Sequence, residues 1–447
     1  MASGLSVGAT RVCVRLWDTA SHETTATLTS ERPLNGVSVS PDGHRLATVS
    51  VDAPGPGSAE GTAGGAPGAG IWDLDAGRMT MPLSARQTPL AVAFTPDGRM
   101  LAIGDADGLV SLWDANGRRQ NAALTGHSDA VSALAFSPDG RTLASAGTGG
   151  TVRLWNMASR QTEATLTGHT QAVLALAFSP DGRLLATAGE DRTTRLWDTR
   201  SHRSKTILSA NADATPRTLA ISPDGRTLAT RSANGQVQLL DMNSHRAIAA
   251  FPGQPATTWA VAFSPDGRLL ATAGSSGDIR LWDAATHRRT QTLTGHTGVI
   301  KTLAFSPDGH TLASGSADRT IRLWDTSSHR TTANLTGHDD TVIALAFPLD
   351  SRTLATASLD RTKPPVGARH RRRRRPHLHP QHHPGMARFP ARPPTQGALP
   401  LTPGSRSAQA HADRLPIPAV RQPSGGIPAP GFMVFSAIGT WSSPLLS

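Results

Sequence analysis

The chain has 447 residues, one cysteine at position 13 and no tyrosine. Its formal net charge of +11 lies entirely in the tail: from Lys363 onward twelve basic residues meet a single acidic one, Asp413, while the rest of the chain carries thirty-two of each sign. A lone cysteine excludes an internal disulfide framework, and a formally neutral body gives no support to nucleic-acid binding through its overall field.

At the amino terminus, Met1 to Arg11 lacks the basic segment and apolar core of a signal peptide, so a cytoplasmic chain is expected. No later run approaches the ~20 apolar residues that cross a bilayer, so no membrane association is expected. Val12 to Asp18 reads as a strand and Glu23 to Leu28 as the strand after it. Met1-Ala2-Ser3-Gly4 resembles Leu312-Ala313-Ser314-Gly315, so the chain begins inside a repeated unit.

That unit is clearest from Gly295 to Asp325. Val299 to Phe305 is an apolar run broken by Lys301 and Thr302, suited to a strand covered on both faces. Ser306-Pro307-Asp308-Gly309 is a hairpin turn, with proline presetting φ and glycine supplying the positive φ that closes it. Thr311 to Ser316 reads as a second strand, Ala317-Asp318-Arg319 as a turn, and Thr320 to Trp324 as a third strand. The position of Trp324 is filled upstream by Trp282, Leu240, Trp197, Trp155, Trp113, Trp72 and Trp17, in steps of 42, 42, 43, 42, 42, 41 and 55 residues. The aspartate of the turn keeps step at Asp42, Asp97, Asp139, Asp181, Asp224, Asp266 and Asp308, with a degraded copy at Asp350. Seven of nine tryptophans and six of ten phenylalanines sit at repeat positions, which leaves few aromatics for a ligand pocket.

A period near forty, Gly-His before the first strand (Gly126-His127, Gly168-His169, Gly295-His296, Gly337-His338) and Trp-Asp at the end of the third resemble the WD-repeat family over residues 1–362. The resemblance implies an all-β propeller of four-stranded antiparallel blades, each tied by a buried His, Ser/Thr, Asp and Trp network. Carried onto this chain, the network falls on His169, Thr187, Asp191 and Trp197, and on His296, Ser314, Asp318 and Trp324. Alternate strand residues share a face, so Ser314 and Ser316 are both open for the hydroxyl role. Other blades depart from the pattern: Gly149 replaces the aspartate, Ile103 the hydroxyl residue, Gln254 the histidine and Leu240 the tryptophan. These blades are expected to rely more on apolar packing.

The stretch after Asp52 is rich in Ala, Gly and Pro, and the 55-residue step marks it as a flexible surface insertion over about residues 53–69. Near the other end, Val342 to Phe347 and Thr353 to Ser358 read as a first and second strand with no third after them. This half-unit complements the one at the amino terminus. Ring closure is therefore expected, His338, Thr356 and Asp360 meeting Trp17 in one composite blade, for eight blades with seven as the alternative. The rival is a fragment that starts and stops mid-repeat.

Past Thr362 the repeat stops at Lys363-Pro364-Pro365, and two prolines forbid a central strand. Residues 363–447 are expected to be a disordered, basic, proline-rich tail containing Arg371 to Arg375 and a cluster of histidines. A basic arm that binds nucleic acid or acidic surfaces fits that run, although no aromatics are interleaved for base stacking. An altered reading frame past Thr362 fits the abrupt change better, since three lysines among forty-four basic residues indicate G+C-rich coding.

Enzyme motifs are absent: no glycine precedes Lys205, Lys301 or Lys363, which excludes a phosphate loop, and neither Gly-x-Ser-x-Gly nor His-Glu-x-x-His occurs. A His and Asp pair repeated around a ring is a packing rule, so no catalytic residue, cofactor or metal is expected. The resemblance implies instead a scaffold or sensor module that binds protein or peptide partners, as in the sensor halves of bacterial signalling proteins. The expected binding face bears the Gly-His loops and second-to-third-strand turns, with Asp129, Gln171, Arg192, Arg319, Asp339 and Asp340 as contacts by loop position.

Overall fold

The computed structural model describes residues 12–359 apart from 31–33, 51–67, 77, 84–87, 117–119, 210–217, 232–235, 252–256 and 349–350. The expected tail, most of the insertion, Gln254 and Asp360 lie outside the described residues.

The described strands form eight four-stranded antiparallel sheets, each a blade. Seven blades are sequential meanders at residues 34–83, 89–124, 131–166, 173–209, 219–251, 258–293 and 300–335, here called blades 1 to 7. Blade 8 is composite. Val342–Ala346 and Thr353–Ser358 supply its inner strands, Val12–Asp18 and Thr24–Ser30 its outer ones. Across the seam Cys13 pairs with Ser358, Arg15 with Thr356 and Trp17 with Leu354. The two half-units thus complete one blade, and the array closes into an eight-bladed β-propeller.

The innermost strands follow one another in a circle, the last of them, Val342–Ala346, lying beside the first, Leu34–Val39. Each pair of adjacent blades encloses one apolar cluster. Between blades 7 and 8 the core includes Leu323, Leu335, Trp17 and Leu345, and between blades 8 and 1 it includes Val14, Leu16, Ala355 and Leu46. The composite blade is therefore covered on both faces, as a closed ring requires.

This burial explains the sequence pattern within a blade. The second strand is central and nearly all buried, as in Leu184–Gly189 and Thr311–Ser316, so its residues are small or apolar throughout. The fourth strand faces water on one side and reads polar, as in Gln161–Leu166. Each tryptophan at the repeat position packs toward the preceding blade. Where Leu240 takes its place, a small cluster of Ala186, Leu196, Leu228, Leu240 and Met242 joins blades 4 and 5.

The Pro-Asp-Gly turns form as expected. Gly309 has φ of 76° and donates its N–H to Ser306 O at 2.8 Å. Ser306 Oγ also bonds the Asp308 carboxylate at 2.6 Å, and the same serine accepts the N–H of Thr311. In blade 1 the third strand begins at Ala69, inside the stretch read from sequence as insertion, because the pairing of Val49 with Ala69 extends the ladder two residues before Ile71.

Candidate functional site

The loops before the first strands and the second-to-third-strand turns share one end of the ring. Backbone bonds join them within each blade: Thr148 N–H to Ala130 O, Glu190 N–H to Ala172 O, Ala317 N–H to Val299 O, and Leu359 N–H to Thr341 O. The Pro-Asp-Gly turns and third-to-fourth-strand turns occupy the opposite end, where Thr199 N–H bonds Arg183 O and Ala115 N–H bonds Arg99 O.

Beneath the loop face, the expected networks form in blades 4 and 7. Trp197 Nε1 donates to Thr187 Oγ1 at 2.9 Å, Thr187 Oγ1 lies 2.7 Å from His169 Nε2, and His169 Nδ1 lies 2.9 Å from Asp191. In blade 7 Trp324 donates to Ser314 Oγ at 2.9 Å, Ser314 lies 2.8 Å from His296 Nε2, and His296 Nδ1 lies 2.7 Å from Asp318. A neutral imidazole with its proton on Nδ1 satisfies every partner: it donates to the carboxylate and accepts the hydroxyl proton. Ser314 is thus the hydroxyl of the network. Ser316, two residues on, accepts the N–H of Asp318 and shapes the turn.

Electrostatics agree with that proton placement. Burial holds the His169 and His296 pKa below the ordinary value, although the adjacent carboxylate opposes it. Burial raises Asp191 and Asp318, yet hydrogen bonds from Thr193, Thr320 and the imidazoles outweigh it and leave both lowered. Both shifts favour the fold at neutral pH and lose that contribution on acidification. The unfolded histidine takes up a proton below about pH 6.5, and the paired carboxylates are protonated once the pH falls through their folded values.

In the composite blade Trp17 Nε1 donates to Thr356 Oγ1 at 3.0 Å, and His338 Nε2 lies 2.8 Å from the same oxygen. Strands some 340 residues apart therefore share one hydroxyl. Blade 3 shows how the aspartate is replaced. His127 Nε2 contacts Ser145 Oγ at 2.7 Å, Thr151 Oγ1 lies 3.4 Å from Nδ1, and the Asp129 carboxylate fills the space beside Gly149. Burial and the nearby Arg153 push His127 down to about 4, so it too stays neutral.

In blade 2 the network is absent. Ile103 is 1% exposed where a hydroxyl stands elsewhere, and the Trp113 Nε1 donor has no partner. Asp105, 1% exposed, carries a carboxylate with neither oxygen hydrogen-bonded. Burial, with the charge of Asp107, raises it to about 7.

One group of residues was missed by the sequence reading. Arg195 Nη2 donates to Gly168 O at 2.7 Å and Arg15 Nη2 to Gly337 O at 2.8 Å, pinning the Gly-His loop to the third strand. Gly168 and Gly295 hold φ of 152° and 157°, which L side chains rarely adopt, and a Cβ there would meet the guanidinium of Arg195 or Arg322. The signal was present: arginine stands two residues before the tryptophan at 15, 153, 195, 280 and 322, in the same five blades whose loop carries Gly337, Gly126, Gly168, Gly253 or Gly295.

The six contacts chosen by loop position all map to the loop face. Gln171, Arg192, Arg319 and Asp339 are exposed, while Asp129 and Asp340 are half-buried. Arg192 and Arg319 hold φ of 64° and 72°, where blades 2, 3 and 6 carry Gly108, Gly150 and Gly277. Asp129 is taken up locally by Ser128 and the Gly149 turn, and Asp340 Oδ1 caps Thr341 N–H at 2.6 Å. Among the described residues no group of three metal-ligating side chains occurs, and no helix is long and apolar enough to cross a membrane.

The network should be structural. Asp318→Ala is expected to cost about 1–3 kcal/mol of stability, softened by Thr320 Oγ1 at 3.3 Å from His296 Nδ1. Unchanged thermal melting at pH 7 would contradict that role.

The WD40 family model (WD domain, G-beta repeat) matches residues 82–114, 118–156, 160–198, 246–283, 287–325 and 329–362. No curated protein matches the chain. Each complete match runs from the outermost strand of one blade through three strands of the next, and the last stops where Val12–Asp18 enters to complete blade 8. Repeats, networks and closing blade together make this chain a member of the WD-repeat family of β-propellers.

Proposed function

We propose that the chain is a non-catalytic interaction module that binds a protein or peptide partner on its loop face. One observation carries the reading. The His, hydroxyl and carboxylate groups of the networks are buried and satisfy one another, whereas the loops above them present Gln171, Arg192, Arg319 and Asp339 to solvent.

The test is to pan a random twelve-residue peptide display library on the full chain. Selected peptides should lose binding to the double variant Arg192→Gly/Arg319→Gly, which installs the residue of blades 2, 3 and 6, and keep it with Arg183→Ala on the opposite face. Selected peptides that bind the double variant undiminished would refute the assignment of the face.

A further inference from the structure

Near-identical repeats let each blade serve as a reference for the others. In blades 1 to 4 and 6 to 8 the innermost strand carries a one-residue bulge near the loop face, at Asn35, Leu90, Ser132, Leu174, Trp259, Lys301 and Ile343. A bulge re-aims its side chain out of the regular pleat. The strand ends almost uniformly in Ala-Phe, yet this position holds six residue types in seven blades. Variation is concentrated at the inner rim, where a partner would reach.

Three departures from the repeat converge in consecutive blades. Trp259, in blade 6, is the one tryptophan of the described residues outside the repeat position, and it is half-buried. Lys301, in blade 7, places Nζ 3.7 Å from the centre of that indole ring, well inside cation–π range. Arg231, in blade 5, stands where the other blades have Val49, Gly104, Ala146, Ala188, Ala273, Gly315 and Ala357. At Gly104 and Gly315 a Cβ would point at Val131 and Val342 of the next blade; the residue of blade 6 at that place is Thr258, the neighbour of Trp259. Arg231 thus stands at the edge of blade 5 that meets blade 6, while Lys301 lies against the indole from blade 7.

We propose that Arg231, Trp259 and Lys301 form a carboxylate-accepting subsite at the inner rim of the loop face, which takes an acidic peptide segment. The subsite rests on the reading of the loop face given above and adds the chemistry of what it binds. Stacking on Trp259 fixes the position of the ammonium before binding, which lowers the ordering cost of the ion pair. Burial already lowers the pKa of Lys301, and a cation short of water gains more from a carboxylate than an exposed one does.

The same library supplies the experiment. Peptides selected on the full chain should be enriched in Asp and Glu, and replacing those residues by Asn and Gln in a synthetic copy should weaken binding about tenfold or more. Arg231→Ala and Lys301→Ser each install a residue that another blade carries at the same place, and each should give a similar loss with melting unchanged. Selected peptides without acidic enrichment, or binding that is indifferent to the amide replacements, would overturn the subsite. If such peptides still lose binding to Arg192→Gly/Arg319→Gly, the loop face stands and the subsite alone falls. A library that yields no binder overturns both.

Discussion

Ser358→Cys is expected to lock the ring covalently. Cys13 is the single cysteine of the chain, and its Cα pairs directly with that of Ser358 across the closing seam. Directly opposed residues of an antiparallel pair lie about 4.5–5.5 Å apart, within the span a disulfide bridges. Mild oxidation should yield a monomer without free thiol. The bridge closes a loop of about 345 residues, for which chain entropy gives roughly 6 kcal/mol of stabilisation, less about 1 kcal/mol for the lost Ser358 hydroxyl bond to Asp340 O. Melting of the oxidised and reduced variant should differ by several degrees. Two free thiols after oxidation, or intermolecular dimers alone, would refute the pairing of the chain ends.

A second large effect is expected at Asp105. Six other blades carry Ser50, Gly147, Gly189, Gly274, Ser316 and Ser358 at its place, each small and easily satisfied. Its folded pKa is raised to about 7 from 3.8, so folding binds a proton between those values. At pH 3 both states are protonated and the group contributes nothing. As pH rises the unfolded state ionises freely while the folded state resists, and stability falls until about pH 7, then levels. Asp105→Ser should therefore leave stability at pH 4 nearly unchanged and raise it at pH 8 by up to about 4 kcal/mol. Chemical denaturation at the two pH values measures this directly. An equal gain at both would assign the effect to packing, and no gain at pH 8 would show the carboxylate to be satisfied. The histidine networks respond in the opposite sense, losing stability on acidification, so wild-type stability should peak between the two limits.

Much of this was legible in the sequence because a repeat states each rule several times. The turn chemistry of Ser306 to Gly309, the strands on either side and the complementary half-units all follow from local residue types and a period of about 42. The networks of blades 4 and 7 were legible by resemblance, and register decided between Ser314 and Ser316, which share a face. What escaped were interactions between segments. The arginine clamp on the Gly-His loop joins residues 27 apart in blade 4 and 322 apart in blade 8, and no local rule links them. The burial of Asp105 depends on what packs around the end of its strand, which its residue type alone does not show. The inner bulges cannot be read from an apolar run, because one extra residue on one strand leaves composition untouched.

The composite blade also sets a timetable for the nascent chain. Val12–Asp18 is made first, and its partner, Thr353–Ser358, leaves the ribosome only after some 335 more residues. At 5–20 residues per second that is roughly 20–70 s. Throughout that wait one strand edge stays unpaired, and the innermost strand of blade 1 has no neighbour on its closing side. The seven sequential blades can form as they emerge, so the last step is the meeting of two distant ends. Any delay between the two strands therefore lengthens the exposure of the earlier one.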